Sequence, residues 1–279
     1  MSNRFEGSIE GYRDIELFTQ SWRSSDNHKG TLIVTHGIAE HSDCYHDFAG
    51  FFNSKGWDVF AWDLRGHGRS EGQRGYIESF DYFEQDLRKV IEFVKTEKEG
   101  PYVLFGHSMG GLITAKNLIA YGAQGASAVV FSAPAFGVGV EVPFVKDFAA
   151  GLLANLTPRL TLSNEINFED LHHNAKLHEE YKKDPLRHDR ISPKLYVEMQ
   201  QAFQQGIRFA KNIEIPALVQ LAGQEKVVNN EATQVFYNSL GSKTKKLVSY
   251  TDSYHEIYVD LEKEQAQKDM MEFLQELGL

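Results

Sequence analysis

The stretch Tyr102-Val103-Leu104-Phe105-Gly106-His107-Ser108-Met109-Gly110-Gly111-Leu112-Ile113-Thr114-Ala115 passes from an apolar run, through a G-x-S-x-G pentapeptide, into a helix-forming sequence. Strand, sharp turn and helix around a central serine are what separate a nucleophile elbow from a chance glycine-rich turn. Such a turn strains the serine backbone. Gly106 and Gly110, two residues to either side, leave room because neither carries a Cβ. The Ser108 hydroxyl is therefore expected to stand above the end of a sheet, beside the amino end of a helix whose dipole favours developing negative charge.

Around this feature, short apolar strands alternate with helical patterns, the signature of a mostly parallel sheet covered on both faces. Residues 5–9 and 15–23 read as an opening antiparallel pair. Further strands are predicted at 31–35, 58–62, 102–105, 128–131, 217–221 and 246–250. Residues 44–55 predict a short helix closed by Gly56, and 262–277 an amphipathic closing helix. In the segment 79–97, Phe80, Phe83, Leu87, Val90, Ile91 and Val94 recur at helical spacing, which makes it the clearest helix. Between 137 and 211 the alternation breaks into helices and loops. The expected division is a core of residues 1–136 and 212–279 with a helical cap inserted at 137–211, above the carboxyl edge of an eight-stranded sheet where such folds bind ligands. No internal repeat is visible.

Composition narrows the function. A hydrophobic content of 42% supports a full core in a chain of 279 residues, and a net charge of −10 argues against a nucleic-acid partner and against recruitment to anionic membranes. The single cysteine, Cys44, forbids an internal disulfide and suits a reducing compartment, so a cytoplasmic location is expected, with peripheral contact at a membrane surface through the cap. Met1-Ser2-Asn3-Arg4-Phe5-Glu6 has no apolar core of a secretion signal, and no run of about 20 apolar residues predicts a membrane span.

A serine hydroxyl is a poor nucleophile until an oriented base takes its proton. In this architecture the order is serine, acid, histidine, with both partners on loops after later strands. His255 follows the last predicted strand, and it is the only histidine after His188. The acid belongs just past the strand 217–221, where Glu225 fits in type and place; Asp252, on the same loop as His255, is the alternative. Two backbone N–H groups must hold the oxyanion. Met109, next after the serine, supplies one. Ile38, after Gly37 in the loop following strand 31–35, supplies the other, with His36 as a hydrogen-bonded support.

The blocks His36-Gly37-Ile38-Ala39-Glu40-His41-Ser42, Asp63-Leu64-Arg65-Gly66-His67-Gly68-Arg69-Ser70-Glu71-Gly72, Gly75-Tyr76-Ile77, Gly106-His107-Ser108-Met109-Gly110-Gly111 and Asp184-Pro185-Leu186 keep one order over nearly the whole chain. In these the sequence resembles the monoacylglycerol lipase and lysophospholipase family of α/β-hydrolases. The resemblance implies hydrolysis of the single acyl ester of a monoacyl lipid, with no metal or organic cofactor. Matched position by position, it places the family's triad on Ser108, Glu225 and His255 and its oxyanion donors on Ile38 and Met109. Glutamate stands where aspartate is commoner, and the cap is where such families vary most.

Other features read as structural. Asp63 to Ser70 lacks phosphate-loop spacing and predicts a turn with a buried Arg65 or Asp63 pair. Gly137-Val138-Gly139 lacks the rest of a dinucleotide fingerprint. His172, His173 and His178, among charged neighbours, predict a solvated helix face rather than metal ligands. Residues 142–156 carry Val142, Phe144, Val145, Phe148, Leu152, Leu153 and Leu156, which suit either a cap helix packed on the core or a lid that lines an acyl tunnel and touches lipid. Glycerol and lysophospholipid headgroups stay open, although no basic cluster can be placed at the pocket mouth. A small-ester or thioester hydrolase, and a non-catalytic lipid receptor on the same scaffold, are the rival readings. Oligomeric state is not encoded in any pattern found.

Overall fold

The computed structural model describes residues 4–24, 28–98, 100–139 and 144–279, and the side chains of 144–148 fall outside that description. Eight strands make the central sheet: β1 (Arg4–Glu10), β2 (Glu16–Trp22), β3 (Gly30–Thr35), β4 (Trp57–Trp62), β5 (Tyr102–His107), β6 (Ala128–Ser132), β9 (Ala217–Ala222) and β10 (Lys245–Tyr250). Their order across the sheet is β1-β2-β4-β3-β5-β6-β9-β10. Only the β1–β2 and β2–β4 pairings are antiparallel. All others are parallel, from β4–β3 to β9–β10.

Alternation along the buried strands sends successive side chains to two cores. Ile33, Leu104, Val129, Phe131 and Val219 point to one, under α2 (Asp81–Glu97), α3 (Met109–Tyr121), α6 (Pro193–Arg208) and α7 (Asn230–Ser239). Leu32, Val34, Val103, Phe105, Val130 and Leu218 point to the other, under α1 (His46–Asn53) and α8 (Lys263–Glu276). With both faces covered, central strands become continuous apolar runs, which is why they were readable. Helix α3, which packs on β5 and β3 at the sheet's centre, is buried nearly all round.

Between β6 and β9 lie α4 (Phe144–Leu156), β7 (Leu162–Ser163), α5 (Ala175–Tyr181), β8 (Arg190–Ile191) and α6. The pairing of β7 with β8 is a two-residue antiparallel ribbon that no hydrophobic pattern announces. Helix α6 starts on Ser192, whose side chain accepts the Leu195 N–H at 3.1 Å, with Pro193 at the first helical position. The helix predicted over 44–55 is α1 preceded by a 3₁₀ turn at Ser42–Tyr45.

Candidate functional site

Ser108 is the single residue between β5 and α3, with φ +52° and ψ −122°. A non-glycine residue in this region is strained and must be held by its surroundings. It is held on both sides. Its N–H donates to the Ser132 carbonyl on β6 at 3.0 Å, and its own carbonyl accepts from Gly111 and Ala135, each at 3.0 Å. The flanking glycines are sterically required. A Cβ on Gly106 would stand 2.6 Å from the Gly110 carbonyl oxygen, and one on Gly110 would collide with the Thr35 carbonyl.

Glu225 lies three residues past β9 and His255 five past β10. Their loops are fastened together where the two strands end: Gly223 N–H donates to Tyr250 O at 2.6 Å and Gln224 N–H to Ser253 O at 3.0 Å. His255 Nδ1 then lies 2.9 Å from Glu225 Oε2, with both side chains almost wholly buried. The second carboxylate oxygen accepts the backbone N–H groups of Lys226 (3.1 Å), Val227 (2.8 Å) and Val228 (3.1 Å). Burial pushes the Glu225 carboxyl up, but the His255 charge and these hydrogen bonds outweigh it and hold it below the usual glutamate value. Burial pushes the His255 imidazole down, yet the facing Glu225 carboxylate leaves it above the usual histidine value. Asp252 is exposed, and its backbone N–H donates to Glu262 at 2.8 Å; the partner of His255 is Glu225.

The loop after β3 passes directly over the serine. A Cβ on Gly37 would stand 3.0 Å from Ser108 Cβ, so only glycine lets the chain come this close. Glu40, buried, fixes the bend by accepting the Gly37 N–H at 3.0 Å and the Tyr45 hydroxyl at 3.1 Å. His36 supports the same loop, as expected: its Nδ1 lies 2.7 Å from Gly37 O, and its Nε2 accepts the Leu64 N–H at 3.0 Å. Ile38, Met109 and Ser108 line one cavity together. Met109 is the first residue of α3, where a backbone N–H has no acceptor within its own helix.

That cavity measures about 620 Å³. Ala135, Val138, Leu153, Met199 and Phe203 form apolar wall, while Lys226 and Glu165 lie on its exposed side. A second space of about 50 Å³ is shared by Gly37, Ile38, Ser108 and His255, with Glu40, Arg187 and Glu256. Ser108 therefore sits where a large space meets a small one, and His255 lines the small one together with Glu40, Arg187 and Glu256.

Among the described residues, no group of three or more His, Cys, Asp or Glu is arranged to hold a metal ion. His172 and His178 are buried rather than on a solvated face, which corrects the sequence expectation, while His173 stays exposed. His172 is fully buried and its ring stacks on His178 at 4.5 Å, while His173 Nδ1 lies 2.9 Å from Asp260. Charged neighbours in sequence misled here because the short α5 folds inward against the loop that carries His255. The loop from Asp63 is structural, as predicted: Asp63 accepts the Ser42 and Arg69 N–H groups at 2.7 Å each, and Arg65 pairs with buried Asp86 at 2.5 Å. Gly137 to Gly139 lies along the acid's loop, with Val138 bridging Val228. Val142 and the side chains of Phe144, Val145 and Phe148 lie outside the described residues. On the same helix, Ala149, Ala150 and Leu153 line the large cavity while Leu152 and Leu156 stay 55% and 68% exposed. The roles of Glu40 and Asp260 were missed: Glu40 stands inside the block from His36 to Ser42 but was given no role there, and the His173 partner of Asp260 is remote in sequence. No helix among the described residues is long and apolar enough to cross a membrane.

Comparison with known proteins agrees with this architecture. The profile of a family described as "Serine aminopeptidase, S33" matches residues 26–262. A monoacylglycerol lipase of Mycolicibacterium smegmatis is 27% identical over 98% of this chain and 98% of its own. An uncharacterised abhydrolase domain-containing protein of Dictyostelium discoideum is 28% identical over 93% of this chain, which spans only 28% of that longer protein. The crystal structure of a Paleococcus ferrophilus monoacylglycerol lipase superposes with a TM-score of 0.84 at 28% identity, covering 94% of this chain and 99% of that one.

Proposed function

The chain belongs to the serine aminopeptidase S33 family, and from that premise we propose that it is a serine hydrolase of monoacyl lipids, of the monoacylglycerol lipase and lysophospholipase type. The observation that carries the reading is the buried His255–Glu225 pair, 2.9 Å apart, with His255 lining one small cavity together with a strained serine. Ser108 attacks the ester carbonyl as His255 takes its proton. Glu225 holds the imidazole in one tautomer and stabilises the imidazolium. The N–H groups of Ile38 and Met109 receive the oxyanion, preorganised by Gly37, Glu40 and the start of α3. His255 next protonates the departing alcohol, then activates water to release the fatty acid from Ser108. Each step asks only for chemistry that these side chains hold, and no cofactor enters it.

The substrate assignment draws on the shape of the site and on the monoacylglycerol lipases that this chain resembles. An apolar volume of about 620 Å³ accepts a long acyl chain, each buried CH₂ contributing about 0.8 kcal/mol. The small space beside His255, reached by Glu40, Arg187 and Glu256, suits a small hydroxylated leaving group. Arg187 there faces the carboxylates of Glu40 and Glu256, so it offers no free positive charge to a phosphate. Glycerol is accordingly the favoured headgroup. Residues 137–211 act as the cap, and the exposed leucines of α4 make its transient contact with lipid.

Turnover of a monoacylglycerol and a lysophosphatidylcholine with matched tails, alongside an aminoacyl anilide, tests the assignment. We expect the monoacylglycerol to be preferred and Ser108→Ala to lower kcat by about 10⁴-fold or more while the protein stays folded. Near wild-type turnover in purified Ser108→Ala would end the hydrolase reading. A folded wild type that gives no acyl-enzyme burst with a long-chain nitrophenyl ester would point instead to a ligand receptor.

A further inference from the structure

Both neighbours of His255 are tied to the inserted segment. Glu256 donates its backbone N–H to the Leu171 carbonyl at 2.8 Å, and its carboxylate accepts the Tyr181 hydroxyl at 2.6 Å. Tyr254 donates its N–H to the Asp260 carboxylate at 2.6 Å. The same carboxylate, 1% exposed, accepts the His173 N–H at 2.9 Å and the His173 Nδ1–H at 2.9 and 3.0 Å. The His173 ring lies against Tyr254, centroids 3.8 Å apart. On the acid's side, Lys226 Nζ sits 3.7 Å over the Tyr254 ring and 3.3 Å from Asp170.

These contacts have a direction. They run from residues 170–181 to the neighbours of the acid–base pair, not to the pair itself. The Glu225 bond sets the tilt of the imidazole, but how far the ring stands from Ser108 depends on where the loop 251–261 rests. Asp260, a buried carboxylate of that loop, grips both Tyr254 within the loop and His173 of the insertion. Its charge is met by hydrogen bonds from both sides at once, so a shift of either segment leaves acceptor sites unfilled.

We propose that His173 and Asp260 are a positioning pair that couples the seat of the insertion to the place of His255. This rests on the serine-hydrolase reading above. His173 touches no reacting atom; it acts through Asp260 and Tyr254. When the insertion rests on the core, the pair holds His255 at working distance from Ser108. When the insertion lifts, the hold slackens and turnover falls, so substrate entry and catalytic competence are linked.

The test uses the full chain, with active sites counted by a fluorophosphonate probe of Ser108. His173 is 30% exposed in its side chain, so His173→Ala is expected to fold. Per labelled site, His173→Ala should lose about tenfold or more in kcat, as small misplacements of a catalytic group do, with KM for a monoacylglycerol unchanged. The acid limb of its pH–rate profile should move to lower pH, because a loosened loop weakens the Glu225 contact that raises the His255 imidazole. His173→Gln, which keeps a side-chain donor, should recover most of the lost turnover. A purely structural role would reduce labelled sites or melting temperature and leave per-site kcat and the pH limb in place; that result would overturn the proposal. Absence of labelling and turnover in the wild type would instead overturn the serine-hydrolase reading on which it stands.

Discussion

At the scale of single residues, the chemistry was legible where a motif or a place after a strand defines it. Ser108 is announced by two glycines that nothing larger can replace. The His255–Glu225 pairing was legible because no other histidine follows the last strand and the loop after β9 offers one carboxylate. What no local pattern shows is the support. Glu40 holds the bend at Gly37, three residues before it, and Asp260 ties the loop of His255 to His173, a partner remote in sequence that only packing brings near. His172 and His178 look solvated among lysines and glutamates, yet they are buried, since tertiary contacts rather than neighbours decide exposure. The pair Glu225–His255 gives a prediction with a sign. Its imidazole is raised above the usual histidine value, so activity should fall as pH drops through that raised value, where His255 is protonated before it can receive the serine proton. Glu225→Gln removes the facing charge. It should shift the acid limb of kcat/KM to lower pH and reduce kcat by about 10²-fold or more, while Asp252→Asn changes neither. A pH–rate series on the three proteins checks it; a larger loss from the change at 252 would transfer the acid's role there.

At the scale of elements, the strands were readable because both sheet faces are covered and the central strands become unbroken apolar runs. The ribbon of β7 and β8 was not, because two residues carry no periodicity. Helix α4 joins the two readings that the sequence left open for residues 142–156. Ala149, Ala150 and Leu153 line the large cavity, while Leu152 and Leu156, one turn apart, are exposed. An exposed leucine pair on a strongly acidic chain fits an uncharged lipid surface better than an anionic one. Replacing Leu152 and Leu156 together with serine should slow hydrolysis of monoacylglycerol presented in neutral vesicles, and leave the rate on a soluble short-chain ester unchanged. Equal loss on both substrates would mean that these leucines serve the fold instead.

At the scale of the whole molecule, a large apolar-walled volume opens beside the elbow and a small one beside the imidazole. The apolar side should make kcat/KM climb by about fourfold for each added methylene until the space is filled, the rate equivalent of roughly 0.8 kcal/mol per buried CH₂. A flat response across tail lengths would favour a small-ester hydrolase. The same layout also separates the working parts along the chain. Strand β6 lies beside β9, although the whole insertion comes between them in sequence. A polypeptide emerging from the ribosome thus carries its serine long before the glutamate and histidine that awaken it. On the mechanism proposed above, that serine gains its base only when the final strands dock, so a half-made chain holds no working nucleophile.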